Sequence, residues 1–309
     1  VFLFLIMIRP KALASGDKVG IVAPGRKVSV NDIDAATKTF ASWGIEIELA
    51  PNLFSEDHSY LSSSDTKRRD DFQRMLDDAS IKAIICARGG YGTTRIIEKL
   101  DFSKFINNPK WVVGFSDITA LHLKIFNLGI ESLPAVLTIV FDKPEYSSSI
   151  CCLQKILFGQ DISICAKASG HNKSGVVSGK VIGGNLSLLI DSLGTPSEPD
   201  PKSNILIVEE IDEPLYKVDR MFTHLKRAGI LEKIAGLVIG HMTALKESDL
   251  RFGETVEDIV LNKVSEFGYP VAFKFPIGHE SPNLAWRHES LMTLVVDENG
   301  SSLSPVRYV

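Results

Sequence analysis

The feature that most constrains this chain is an alternation in its first 130 residues between short β-branched runs and stretches with helical apolar spacing. VGIVAP, from Val19 to Pro24, reads as a strand, Asn31 to Trp43 carries helix-like spacing, and IEIEL after Gly44 alternates as a strand does. Asp65 to Asp78 then reads as an amphipathic helix with Phe72 and Leu76 on its buried side, and AIICA, Ala83 to Ala87, follows as a buried strand. WVVGF, Trp111 to Phe115, gives another strand, and Asp117 to Phe126 the helix after it. Strands separated by helices are joined by crossovers, which pair them in parallel and put helices on both faces of the sheet. The expected class is α/β, with an N-terminal parallel-sheet, Rossmann-like domain.

After Pro144 the texture changes to YSSSICC and then to a polar, glycine-rich stretch, Ser169 to Lys180, with turn chemistry and little helical period. This divides the chain into an N-terminal domain over 1–150, a linker region over 151–180 and a smaller C-terminal domain over 181–309. That domain holds the strand-like ILIVEE, Ile205 to Glu210, a helix from Pro214 to Ala228 stopped by Gly229, and the run AGLVIG ending at Gly240. A chain of 309 residues has enough length for two such cores.

A net charge of −4 carries no basic stripe of the kind that phosphate-backbone binding needs, so nucleic acid is not an expected partner. Four cysteines without a Cys-x-x-Cys pair predict reduced thiols and a cytoplasmic protein. VFLFLI at the start lacks a basic lead and meets Arg9 and Lys11 at once, so it reads as an upstream extension before Met7 and not as an export signal. No run approaches the roughly 20 apolar residues of a membrane-spanning helix.

Several segments could carry chemistry. GFSD, Gly114 to Asp117, puts Ser116 at a strand-to-helix corner, where a hydroxyl projects from the sheet edge and helix amides face a developing oxyanion. Ser116 and Asp117 equally suit a helix cap, and Ile118 stands where a nucleophile elbow has its second glycine. ARGGYGTTR, Ala87 to Arg95, is a glycine loop between a strand and an expected helix, and it lacks both nucleotide fingerprints. A serine needs a base near neutral pH. His279, in the loop FPIGHESPN, is favoured over His241, while His122 and His224 read as structural and His58, His171 and His288 as solvated. Glu209 and Glu210 end a strand, and alternation lets only one of them point into a given site, whereas Asp212 and Glu213 read as a solvated turn. Metal-ligand spacing such as H-E-x-x-H is absent.

Taken in order, VGIVAP, ARGGYGTTR, VVGFSDITAL, VIGGNLSLL, IVEEIDEPLYKVDRM and FPIGH resemble the LD-carboxypeptidase family of serine peptidases over nearly the whole chain. The resemblance implies a nucleophile at Ser116, its charge partner at Glu209 and its base at His279. It implies an oxyanion hole from the amides of Gly90 and Asp117, with no metal or cofactor. It further implies a β-rich second domain, a homodimer, and a cytoplasmic murein tetrapeptide as substrate, cut at its L,D amide to release D-alanine. A related branch of the family cleaves a peptide-nucleotide antibiotic, for which Trp286 and Arg287 could form a subsite. SPNLAWRHES departs from the family pattern after the histidine and puts substrate contacts there in question. A two-domain protein that binds a small ligand without turning it over is the rival from another class.

Overall fold

The computed structural model describes residues 7–306, so the reading of VFLFLI lies outside the described residues. The chain divides into two compact units: residues 1–161 with 284–289, and residues 162–283 with 290–309.

The first unit is built on a sheet of five strands, β1 (Lys18–Val22), β2 (Glu46–Leu49), β3 (Ile81–Cys86), β4 (Trp111–Gly114) and β5 (Leu133–Pro134), in the order β2-β1-β3-β4-β5 with every pairing parallel. Ile21, Ile84, Ile85 and Val113 are fully buried, as expected of strands covered on both faces. Each such side chain stabilises the fold by roughly 1.5–3 kcal/mol. The crossover helices Asn31–Ser42, Asp65–Asp77 and Thr119–Phe126 lie close to their expected bounds, the second capped by Ser64, whose side chain accepts from the Lys67 amide. On that helix Phe72, Met75 and Leu76 are buried.

The helix expected after the glycine loop does not form. Two short 3-10 turns, Thr93–Arg95 and Ile97–Lys99, stand there, in a stretch of β-branched residues with low helix propensity. The strand order places the topological switch between β1 and β3, where the chain leaves in opposite directions and opens a crevice at the carboxyl ends of the strands.

The second unit holds a mixed sheet of seven strands. These are β6 (Ile164–Lys167), β7 (Gly175–Asn185), β8 (Ile205–Ile211), β9 (Gly236–Thr243), β10 (Val271–Ala272), β11 (Leu291–Asp297) and β12 (Gly300–Pro305). Their order is β10-β9-β8-β7-β11-β12-β6, parallel from β10 to β7 and antiparallel beyond it. The stretch Ser169 to Lys180, read from its composition as turn-rich, carries the first half of β7, whose alternately exposed residues pair with β11. Alternation of small polar and β-branched residues suits an open antiparallel strand as well as a loop.

Candidate active site

In the first unit the chain emerges from β4 through an extended Phe115 and turns sharply at Ser116, whose φ of 65° is left-handed. A side chain in that region costs about 1–2 kcal/mol. Here the turn sets the half-buried serine at a strand-to-helix corner, and a 3-10 turn, Ser116–Ile118, leads into the helix Thr119–Phe126. The glycine loop after β3 runs directly against this corner. A Cβ on Gly89 would stand 3.1 Å from the Ser116 Cβ and 3.4 Å from the Asp117 nitrogen, so only glycine fits without displacement. Gly90, the next residue, is exposed and has a φ of 97°.

The side chain of Asp117 has a role that its sequence context did not reveal. It is buried, and its Oδ2 accepts from the Thr93 amide at 3.0 Å and from the Thr93 hydroxyl at 2.6 Å. Burial raises its pKa above the ordinary carboxyl value. Arg68, also buried, donates to the carbonyls of Pro24 and, at 2.9 Å, Gly92. Asp117 and Arg68 thereby tie the loop after β1, the loop after β3 and the serine turn into one polar assembly. Asp117 and Thr93 stand 24 residues apart, a separation at which no local pattern signals contact.

Behind the turn, His122 Nε2 lies 2.7 Å from the Gly114 carbonyl and Nδ1 2.8 Å from the Ser132 hydroxyl. A carbonyl only accepts, so Nε2 carries the proton and Nδ1 accepts from Ser132. Complete burial pulls this imidazole down to about 4 and keeps it neutral. His122 therefore buttresses the end of β4.

The second unit presents Glu209, two residues before the end of β8, and His279, in the loop after β10. His279 Nδ1 lies 2.6 Å from Glu209 Oε2, with Glu209 buried and the His279 side chain 13% exposed. The carboxylate accepts the Nδ1 proton, which leaves the lone pair of a neutral imidazole on Nε2. Gly278 is required twice over: its φ is 125°, and a Cβ there would stand 3.0 Å from both Glu209 Oε2 and the His241 Cβ.

Glu210 points elsewhere than Glu209, accepting from the Ser187 amide and hydroxyl at 2.8 and 2.6 Å, and burial raises its pKa. Asn185 Nδ2 spans the two carboxylates, 3.3 Å from Glu209 and 2.9 Å from Glu210. His241 accepts the Glu280 amide on Nδ1 at 3.2 Å, and burial lowers its pKa.

Three sequence readings are corrected. His288 is fully buried, not solvated, and packs against His122, Phe126 and Trp286. Trp286 and Arg287 are 3% and 5% exposed, so neither is a surface residue open to a nucleotide. The cause is tertiary: Leu284–Glu289 belongs to the first unit, where Trp286 donates to the Pro134 carbonyl, His288 bridges Ser132, and Arg287 lies 2.7 Å from Asp161 and 3.6 Å from Glu131.

Comparison with known proteins agrees with this architecture. A model of the LD-carboxypeptidase N-terminal domain matches residues 19–135, and one of the LD-carboxypeptidase C-terminal domain matches residues 178–294. A probable murein peptide carboxypeptidase of Bacillus subtilis (strain 168) is 33% identical over 291 residues, covering 91% of this chain and 90% of its own. The crystal structure of muramoyltetrapeptide carboxypeptidase from Oxalobacter formigenes matches with a TM-score of 0.86 at 27% identity, over 94% of this chain and 99% of that one. The structure of MccF in complex with glutamyl sulfamoyl guanosine matches with a TM-score of 0.85 at 20% identity, over 98% of this chain and 99% of that one, a likeness of fold.

Proposed function

The chain belongs to the LD-carboxypeptidase family, and from that premise we propose that it is a serine-type enzyme that releases the terminal D-alanine of murein tetrapeptide by cutting an L,D amide bond. The observation that carries this reading is the imidazole of His279 held through Nδ1 by a buried carboxylate, Glu209, at 2.6 Å. A histidine so oriented is a base with its lone pair on Nε2, and the carboxylate favours the imidazolium that forms when it takes a proton.

In the proposed reaction His279 takes the proton of Ser116 as the serine oxygen bonds to the scissile carbonyl carbon. The amides of Gly90 and Asp117 donate to the oxyanion. Collapse of the tetrahedral species breaks the C–N bond, and His279 passes its proton to the leaving amine. Water, deprotonated by the same imidazole, then hydrolyses the ester and restores Ser116. The left-handed backbone at Ser116 and the abutment of Gly89 on its Cβ support the nucleophile assignment. Action in the cytoplasm and as a homodimer are further parts of the proposal; they rest on the family resemblance, and sedimentation of the purified protein tests the second.

The test is mass spectrometry of sugar-free murein tetrapeptide after incubation with the protein and with Ser116→Ala. Loss of one alanine with the unsubstituted protein alone is expected. Turnover by both proteins would refute Ser116 as nucleophile, and an intact peptide with both would refute the substrate. The reading as a peptide-nucleotide hydrolase loses the subsite suggested for it, because Trp286 and Arg287 are buried.

A further inference from the structure

A carboxypeptidase differs from other peptidases in requiring a free carboxylate on the residue it releases. In the first unit the loop that follows β1, at the topological switch between β1 and β3, carries an exposed side chain suited to that anion. Arg26 follows β1, and its amide donates to the Gly89 carbonyl at 3.2 Å, so its backbone is tied to the loop that abuts Ser116. A Cβ built on Gly90 would stand 3.0 Å from the Arg26 Cβ, 3.4 Å from its Cδ and 3.3 Å from the Tyr60 hydroxyl. Arg26 and Tyr60 thus flank the residue whose amide is assigned to the oxyanion.

The pair is also preorganised. The Arg26 guanidinium lies 5.3 Å from the centroid of the Tyr60 ring, a cation–π contact. The Tyr60 segment is fixed on its other side by His58, whose Nδ1 accepts from the amides of Tyr60 and Leu61 at 3.0 and 2.9 Å. Lys67 and Arg95 are paired with acids, Asp57 and Asp65, each at 2.9 Å, while Arg88 of the glycine loop reaches only the Lys27 carbonyl at 3.5 Å. Arg26, which is exposed, has no carboxylate within ion-pair distance among the described residues. A guanidinium held by one aromatic face, with no internal acid, keeps its planar fork available for bidentate binding of a carboxylate.

We propose that Arg26, steadied by Tyr60, binds the terminal carboxylate of the residue being released and so makes this site exo-acting. The inference rests on the reading in which Ser116 and the Gly90 amide receive the scissile carbonyl. A terminal residue places its carboxylate a few bonds beyond that carbonyl, and the Arg26 side chain packs against Gly90 from its Cβ to its Cδ.

The experiment compares murein tetrapeptide bearing a free C-terminal carboxylate with the same peptide as its C-terminal amide. The unsubstituted enzyme is expected to prefer the acid. Arg26→Gln should lower kcat/KM for the acid by roughly 10- to 100-fold, the scale of a charge-assisted bidentate contact, and leave the amide little changed. Arg26→Lys should recover part of the preference, because it restores the charge without the fork. A general folding defect would lower both substrates together and leave their ratio unmoved. An unsubstituted enzyme indifferent to the carboxylate, or an Arg26→Gln enzyme that keeps the original ratio, overturns the proposal. Calorimetric titration of both peptides into Ser116→Ala, with and without Arg26→Gln, reads the same discrimination without turnover. Cleavage by Ser116→Ala would refute the nucleophile, while the acid-to-amide ratio would still decide the role of Arg26.

Discussion

The left-handed backbone of Ser116 makes a prediction about stability that is independent of substrate. Ser116→Ala and Ser116→Gly both remove the hydroxyl and differ from each other by one methyl group, so whatever the hydroxyl contributes cancels between them. At a φ of 65° the alanine Cβ carries a steric cost of about 1–2 kcal/mol that glycine avoids. Glycine in turn loses about 0.4–1 kcal/mol more than alanine through its freer unfolded chain. The balance leaves Ser116→Gly more stable than Ser116→Ala by about 0.5–1 kcal/mol.

The three tryptophans, Trp43, Trp111 and Trp286, all fall in the first unit, so intrinsic fluorescence follows the unit that contains the substitution. With a urea slope of about 2 kcal/mol per molar, the midpoint of Ser116→Gly should lie roughly 0.3–0.5 M above that of Ser116→Ala. Equal midpoints, or a higher one for alanine, would refute the claim that this corner stores strain. Neither variant should turn over peptide.

Other expectations follow from the same geometry. Glu209→Gln should reduce kcat/KM by about 10³–10⁴-fold, because the amide no longer supports the imidazolium; a loss below 10-fold would remove Glu209 from the reaction. Thr93→Val deletes the hydroxyl that Asp117 accepts at 2.6 Å, and it should lower kcat more than it raises KM, with Thr93→Ser close to the original enzyme. A loss that serine does not restore would mean that the hydroxyl is not the cause.

His122, with a folded pKa of about 4 against 6.5 when exposed, contributes its full stability above pH 6.5 and loses it as pH falls toward 4. At pH 5 the cost is about 2 kcal/mol, so the fluorescence-detected urea midpoint of His122→Asn should fall less between pH 7 and 5 than that of the unsubstituted protein. Parallel falls would refute it.

Part of the candidate site's backbone geometry was legible in the chain because it depends on local chemistry. Ser116 follows an apolar strand by two residues, Gly278 precedes His279 in a turn that needs positive φ, and Glu209 lies near the end of a strand, so each motif states its own backbone conformation. Elements failed to read true where small and β-branched residues suit two states equally, as in the first half of β7 and in the 3-10 turns after Gly92. The histidines were harder still. Polar neighbours suggested that His288 meets solvent, but besides the nearby Trp286 it packs against His122 and Phe126, more than 160 residues earlier in the chain.

The sequence by itself determined the class of the fold, because helical and strand periods alternate along the chain and a parallel sheet is the arrangement that satisfies both. It also determined where the sharp turns fall, since Gly89, Gly114 and Gly278 mark backbone that a larger residue would obstruct. Only the tertiary structure decided which carboxylate meets His279, that Asp117 braces Thr93, that Leu284–Glu289 belongs to the first unit, and that Arg26 stands beside Gly90. Those are contacts between residues far apart in the chain, and their partners are set by strand order and register, which no local pattern encodes.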